Sequence, residues 1–374
     1  MNPISLTDLV HRLDARDLPD RLAALDGLCA RRALGREDFP PPAREPCLPS
    51  YDHVHSVYSY GAWVQGVCSV AHLVWGAHVN GAASITAIEH ESFRHYEEAQ
   101  MAIRVVNGFR GDSPLPLLLG IEFKARIDAQ SLPGPAGDRF RRLMLRHWGQ
   151  DEAAWLVGMG TALTPDIQRL VIHVQSLKRR RAAQQLECLN SYLRLAPRLE
   201  VDDLLTAEGN VTDRQLCFAV AARLVPSSDP VALSAAAARI RLLLNPGQVA
   251  ACDYAHDHPG FVELIGTFQR NGLVPFVTAQ LKGGDLWAMW PDLQQWGIRG
   301  LDTAGIEPEQ PDAAENVQTI LDLAEQHELL LISGADYRGI GTGWTVRQGW
   351  MDHRRVVQTR RRLAWPPSIA APMR

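Results

Sequence analysis

Tyr51-Asp52-His53-Val54-His55-Ser56-Val57-Tyr58-Ser59-Tyr60-Gly61 is the stretch whose reading decides the fold. Its opening predicts a strand over 51–55. Side chains two apart on a strand share a face, so the imidazoles of His53 and His55 can converge on one cation. A lone His-x-His pair is read equally well as two packed histidines. Its meaning depends on what lies at the ends of the neighbouring strands.

Outward from this stretch, short apolar runs alternate with amphipathic ones, the pattern of a parallel α/β sheet or barrel. Strands are predicted over 84–89 and 115–123, with helices over 65–79 and 91–106. The alternation lapses over 127–270, which reads as mainly helical, with helices over 141–148, 166–193, 201–207, 212–224 and 230–244. It resumes with strand 274–279, helix 285–296, strand 300–302, helix 313–327 and strand 329–332. Before the first strand, Leu9, Leu13, Leu18, Leu22, Leu25 and Leu28 recur at helical spacing, and five prolines in 39–49 form a stiff connector.

The expected organisation is an N-terminal helical extension (1–48), the first part of a barrel (49–126), a helical insertion or subdomain (127–270), the last part of the barrel (271–345) and a basic C-terminal tail (346–374).

Three further strand ends carry ligand-type residues: Glu89-His90, Gly120-Ile121-Glu122 and Ser333-Gly334-Ala335-Asp336. Any one of these reads as a helix cap or a hydrated strand end. Together they meet where active sites of barrels lie, at the C-terminal ends of the strands.

These residues carry a family resemblance. HVHSVYSYG (53–61), IEH (88–90), GIE (120–122) and SGADYRG (333–339) resemble, in order, motifs of the PHP (polymerase and histidinol phosphatase) family over about residues 50–340. The resemblance implies a distorted (β/α)7 TIM-like barrel with a mainly helical insertion, in which up to three metal ions activate water against a phosphoester. It maps the first metal site onto His53, His55, Glu122 and Asp336, all present. The second site would need histidines where this chain has Gln215, in Thr212-Asp213-Arg214-Gln215, and Gln280, in Thr278-Ala279-Gln280. The third keeps His90 but has Tyr60 and Arg338 in place of its other ligands. Glutamine is a poor substitute for imidazole, and a fixed guanidinium charge disfavours a nearby cation.

Two outcomes are open. One is a metal-dependent phosphoesterase in which a single divalent ion (zinc, manganese or iron) is held by the surviving quartet, His90 or Glu89 serves as acid/base or as a partner behind the ligands, and Arg338 grips phosphate. The other is a catalytically degenerate PHP-like protein that binds a phosphorylated ligand or a protein partner.

Other candidates carry a bland alternative beside the functional one. His173 reads as a core histidine, and the cluster Asp253, His256, Asp257, His258 as a polar loop or a ligand group. Tyr60 is a packed tyrosine or a donor to substrate. Gly339-Ile340-Gly341-Thr342-Gly343 gives the last strand room to turn, or contributes to an anion pocket. The basic groups Arg141/Arg142/Arg146, 178–181 and Arg354/Arg355 with 360–362 are hydrated helix faces or a rim that steers anions. Trp287, Trp290 and Trp296 suit packing better than base stacking.

The net charge of −4 lacks the basic footprint of a dedicated nucleic-acid binder, so a phosphorylated small molecule or nucleotide is the favoured partner. Six cysteines without CxxC spacing argue against a zinc knuckle or a disulfide framework and suit small core residues. No run of about 18 apolar residues occurs, which excludes a membrane partner and leads to the expectation of a cytoplasmic protein.

Overall fold

The sheet is built from β1 (Ser50–Val54), β2 (Ser84–His90), β3 (Leu117–Arg126), β4 (Ala153–Met159), β5 (Val274–Thr278), β6 (Gly300–Asp302), β7 (Leu330–Ile332) and β8 (Gly334–Tyr337). The computed structural model describes residues 4–34, 50–60, 68–82, 84–111, 113–149, 152–160, 163–206, 209–225, 229–252, 258–278, 281–303, 312–332 and 334–337, with the backbone alone at 50–52, 60, 230, 313–314 and 334–337. The spatial order is β7-β6-β5-β4-β3-β2-β1-β8. Its two ends, β7 and β8, are separated in the chain by the single residue 333, so the eight-strand sheet curls back on itself as a distorted TIM-like barrel.

The strands are parallel except β4, which runs antiparallel to both β3 and β5. This strand lies within the stretch predicted to be mainly helical. Ala153-Ala154-Trp155-Leu156-Val157-Gly158-Met159 is almost continuously apolar and buried, so it has no period-two signature to distinguish it from a helix. Its reversed direction brings its early residue Trp155 opposite Lys124 near the C-terminal end of β3.

Helices clad the outside. α1 (Leu6–Arg12) and α2 (Leu18–Ala33) pack through Leu9, Leu25 and Leu28 into the core that also holds α4 (Val70–Val79) and α5 (His95–Arg110); the short α3 (Val57–Tyr60) follows β1. The docking is fastened by Glu98 of α5, a fully buried carboxylate that accepts from Arg21 Nη1 (2.5 Å), Tyr58 Oη (2.8 Å) and the Ala71 amide (2.9 Å). α6 (Gly134–Trp148) joins β3 to β4.

The 29-residue α7 (Pro165–Leu193) begins against the barrel through Ile167, Val171 and Val174. It ends in a second core with α8 (Asp213–Leu224) and α9 (Pro230–Leu242) through Ala182, Leu186 and Leu189. Of the stretch 201–207, predicted as helix, the described residues 201–206 form only the 3-10 turn Val201–Asp203. α10 (Phe261–Arg270), α11 (Gly283–Trp296) and α12 (Ala313–His327) complete the cladding. Among the described residues, no helix is long and apolar enough to cross a membrane.

Strand alternation sorts the barrel into layers. On β3, Leu119, Ile121 and Phe123 face the helices, while Leu118, Gly120, Glu122 and Lys124 lie on the opposite, inward face. Ile88, Leu118, Val157, Met159, Phe276, Leu330 and Ile332 form an apolar plug. Gly120 and Gly300 make room for it. A Cβ at Gly120 would stand 2.5 Å from Met159 Sδ, and one at Gly300 only 2.2 Å from the Phe276 ring. Polar inward residues follow one step nearer the strand C-termini.

Candidate metal centre

His53 and His55 come from the end of β1, where the strand is irregular. Its register shifts against both β2 and β8, and His53 has φ +52°, a conformation that non-glycine residues rarely adopt. The two imidazoles converge, with Nε2 to Nε2 at 3.0 Å. Glu122 Oε2 lies 3.7 Å from each Nε2. All three side chains are buried, and one ligand atom from each falls within a 4.8 Å group.

The far side of each ring decides its tautomer. His53 Nδ1 bonds the carboxylate of Asp302, which is fully buried at the end of β6. A carboxylate only accepts, so Nδ1 carries a proton and Nε2 is the ring atom left to ligate. His55 Nδ1 is 3.3 Å from Ser59 Oγ. That hydroxyl donates its only proton to Glu89 Oε2, so it accepts from His55 Nδ1 and from the His90 amide (2.9 Å), leaving a lone pair on His55 Nε2. The two Nε2 atoms, 3.0 Å apart and sharing a proton in the metal-free site, make with the carboxylate beside them a donor set that, once that proton is displaced, suits a divalent cation of the zinc, manganese or iron type.

In the metal-free site the neighbouring carboxylates favour a second proton on His53, at Nε2, which a bound cation would displace. Burial opposes a charge on His53, yet Asp302 and then Glu122 outweigh it and hold its pKa well above the usual imidazole value. Burial likewise pushes Glu122 up, and His53 and His90 outweigh it, leaving the carboxyl well below the usual range.

Glu89 is fully buried and accepts from the Ser56 amide (2.9 Å), Ser56 Oγ (2.5 Å) and Ser59 Oγ. It thus fixes the loop that carries His55. His90 stacks on His55 with ring centroids 4.3 Å apart, and its Nδ1 stands 3.1 Å from Glu122 Oε2 without the alignment of a hydrogen bond. Asp336 lies on β8, beside β1, where the backbone alone is described. Arg338 and 339–343 lie outside the described residues, as does the side chain of Tyr60.

The other sequence candidates separate clearly. Gln215, at a position where the resemblance would place a histidine, is committed to capping α8: it accepts from the Thr212 amide (2.7 Å) and donates to Leu204 O (3.2 Å). His173 is exposed on α7 rather than in the core, because the helix turns Val171 and Val174 inward instead. Of the cluster 253–258 only His258 is described, and it is buried. The run 178–181 is divided: Lys178 and Arg181 are buried, whereas Arg179 pairs with Asp202 on the surface.

Arg141 clamps the carbonyls of Ile127 and Leu132 (2.9 Å each), Arg142 is exposed, and exposed Arg146 pairs with Asp285 (3.1 Å). Residues 354–362 lie outside the described ones. Trp290 is fully buried and Trp296 stacks among Phe140 and Phe261, while Trp287 is 40% exposed. Of the described cysteines, Cys29, Cys68 and Cys217 are buried, Cys188 is exposed and Cys252 is half-buried.

Sequence reading did not single out Asp302, Ser56 or Ser59. The serines stand inside the quoted 53–61 motif, which was the available signal. Asp302 ends a three-residue strand with no motif around it.

No family model matches the chain, and no curated protein matches it. Among solved structures, the chain is similar to a protein of Bifidobacterium adolescentis assigned as a metal-dependent phosphoesterase, at TM-score 0.57 and 21% identity over 86% of this chain and 97% of that one. It also aligns with an amidohydrolase from Chromobacterium violaceum holding sulfate and no metal, at TM-score 0.49 and 17% identity over 79% and 89% of the two chains. At these identities the likeness is one of fold: this chain has the barrel architecture found in a protein assigned as a metal-dependent hydrolase.

Proposed function

We propose that this chain is a PHP-like metal-dependent hydrolase of the cytoplasm that cleaves a phosphoester of a small molecule or nucleotide through one metal site. The observation that carries the reading is the pair of imidazole Nε2 atoms, 3.0 Å apart and each 3.7 Å from Glu122 Oε2, with the Nδ1 side of both rings turned to Asp302 and to Ser59. His53, His55 and Glu122 would hold the ion together with Asp336 of β8. A divalent cation there supplies Lewis-acid polarisation of a phosphoryl oxygen and lowers the pKa of water.

The protein's own groups do the rest. Asp302 and Ser59 keep protons on the Nδ1 atoms of His53 and His55, and Glu89 keeps Ser59 in place. The His90 ring, stacked on His55, is the group placed to carry a proton at the mouth, and Arg338 is the proposed grip on phosphate. The capping role of Gln215 favours a single ion over a cluster, and it is also what a catalytically degenerate relative would display.

Elemental analysis of untagged protein, coupled to turnover of aryl phosphate monoesters and diesters, tests the proposal. About one ion per chain, with turnover lost on chelation and restored by metal, is the expected result. One ion without turnover on any phosphoester would leave the degenerate reading, and no ion would remove the site assignment. The variants His53→Ala and Asp336→Asn should each lower the metal content.

A further inference from the structure

His90 ends β2 and lays its ring against two others. It stacks on His55 with 20° between the planes, Trp155 lies 5.1 Å away, and its Nδ1 stands 3.1 Å from Glu122 Oε2. The backbone that carries this ring leaves the strand abruptly. Glu91 has φ +42°, in the left-handed region that residues with a Cβ rarely adopt, and it is fully buried. Such a conformation persists only where its surroundings over-determine it.

Those surroundings come from three places in the chain. The Glu91 amide donates to Glu122 O (3.0 Å), which ties it to the strand bearing the candidate carboxylate ligand. From α7, Gln175 Nε2 donates to the Glu91 carbonyl (2.7 Å), and Lys178 Nζ pairs with the Glu91 carboxylate, its one partner among the described residues. Gln175 and Lys178 are three residues apart on the helix and so share a side. Asn210, fully buried ahead of α8, donates through Nδ2 to the His90 carbonyl (2.9 Å).

Asn210 is itself fixed. Its amide donates to Thr206 Oγ1 (3.1 Å), its carbonyl accepts from the Thr206 amide (2.9 Å), and its Oδ1 accepts from the Val211 amide (3.0 Å). With the His90 amide bonded to Ser59 Oγ, every backbone polar group of His90 and Glu91 is engaged, and both carbonyls are held from α7 and Asn210. Release of Glu91 to an ordinary negative φ would swing the end of β2 and carry the ring off His55.

We infer that Gln175, Lys178 and Asn210 are positioning residues of the metal centre: by holding Glu91 in the left-handed conformation they keep the His90 ring stacked on His55 and against Glu122. The inference rests on the proposed function for what His90 does in turnover. Where the ring stands is a property of the metal-free chain and is measured there.

The test is NMR spectroscopy of the full chain, stripped of metal and isotope-labelled at histidine, with the His90 ring signals assigned by their loss in His90→Gln. Two variants release the peptide in different ways. Glu91→Gln combined with Lys178→Met removes both members of the buried pair, so that neither charge is left alone. Asn210→Ala removes the donor to the His90 carbonyl, and a folding failure of either variant leaves the other to decide. In each, the His90 signals, shifted by the neighbouring rings, should move towards free-imidazole positions, whereas Lys178→Arg, which keeps the pair, should hold them nearer to wild type. A role confined to fastening the fold would lower the unfolding midpoint and leave these signals in place, so unmoved signals in either folded variant would overturn the inference.

In the metal-loaded variants, kcat should fall by about 10²-fold with KM close to wild type, the loss expected when a reacting group is misplaced by about 1 Å. Moved signals without turnover even in wild type would leave the positioning standing and remove the hydrolase reading. Unmoved signals with wild-type turnover would remove the positioning and leave the hydrolase reading standing.

Discussion

Asp302→Asn is the most direct test of how the centre is assembled. The carboxylate is fully buried and faces His53 Nδ1, so it both selects the tautomer and raises the basicity of Nε2 on the other side of the ring. Asparagine keeps the shape and can still accept through its carbonyl, but without the charge. A hydrogen bond to a charged group contributes about 1.5–3 kcal/mol and a neutral one about 0.5–1.5, so the exchange should cost about 1.4 kcal/mol, or roughly tenfold in metal affinity.

Losses of about 10–100-fold on changing the group behind a ligating histidine are of the same order. Competition with a fluorescent chelator measures the affinity, and far-UV circular dichroism verifies that the barrel has formed. Unchanged affinity in a folded variant would refute the relay from Asp302 through His53, and with it the tautomer argument on which the centre rests.

Three further outcomes follow from particular contacts. Ser59→Ala removes the acceptor for His55 Nδ1 and a donor to Glu89, and should cost about 1–3 kcal/mol in urea unfolding together with a loss of metal affinity; stability equal to wild type would show the serine to be incidental. Gly120→Ala places a methyl 2.5 Å from Met159 Sδ and 3.2 Å from Ile88 and Val157, and should cost about 1–3 kcal/mol by overpacking the plug. Unchanged unfolding midpoints would mean that the plug gives way freely. His95 is fully buried, and burial takes its pKa from 6.5 down to about 3. The unfolded chain therefore takes up this proton first, so the stability is complete above pH 6.5 and is lost as pH falls towards 3, at about 1.4 kcal/mol per pH unit in between. His95→Leu should flatten the decline between pH 6 and 4 by that amount, and an unaltered slope would place the acid sensitivity elsewhere.

The strands and ligands legible in the sequence are those whose signals are local. His53 and His55 lie two apart at the end of one predicted strand, Glu122 lies in another, and the remaining predicted strands need little more than a short apolar run. What stayed hidden depends on neighbours far away in the chain. β4 is buried on both faces, so its residues give no alternation. Its antiparallel course, which places Trp155 beside His90 and Lys124, is a property of the closed sheet and not of the strand. Asp302 is 249 residues from His53, and nothing in Gly300-Leu301-Asp302 announces a carboxylate aimed at a histidine.

The basic run at 178–181 shows why such signals are ambiguous and how the fold resolves them. Read as charge alone, four consecutive cations suit a hydrated helix face. On a helix of 3.6 residues per turn, however, positions 178 and 181 share a side while 179 does not. α7 crosses from the barrel core to the helical core at this point, with Val174 packed on one and Ala182 in the other. The face that is apolar on either side of the crossing is thus interrupted by Lys178 and Arg181, where the helix passes the open end of β3. Their burial is compensated within the fold, since Lys178 pairs with Glu91, next to His90 at the end of β2, and Arg181 pairs with Asp213 at the start of α8, so a run that reads as a hydrated face fastens α7 to both cores.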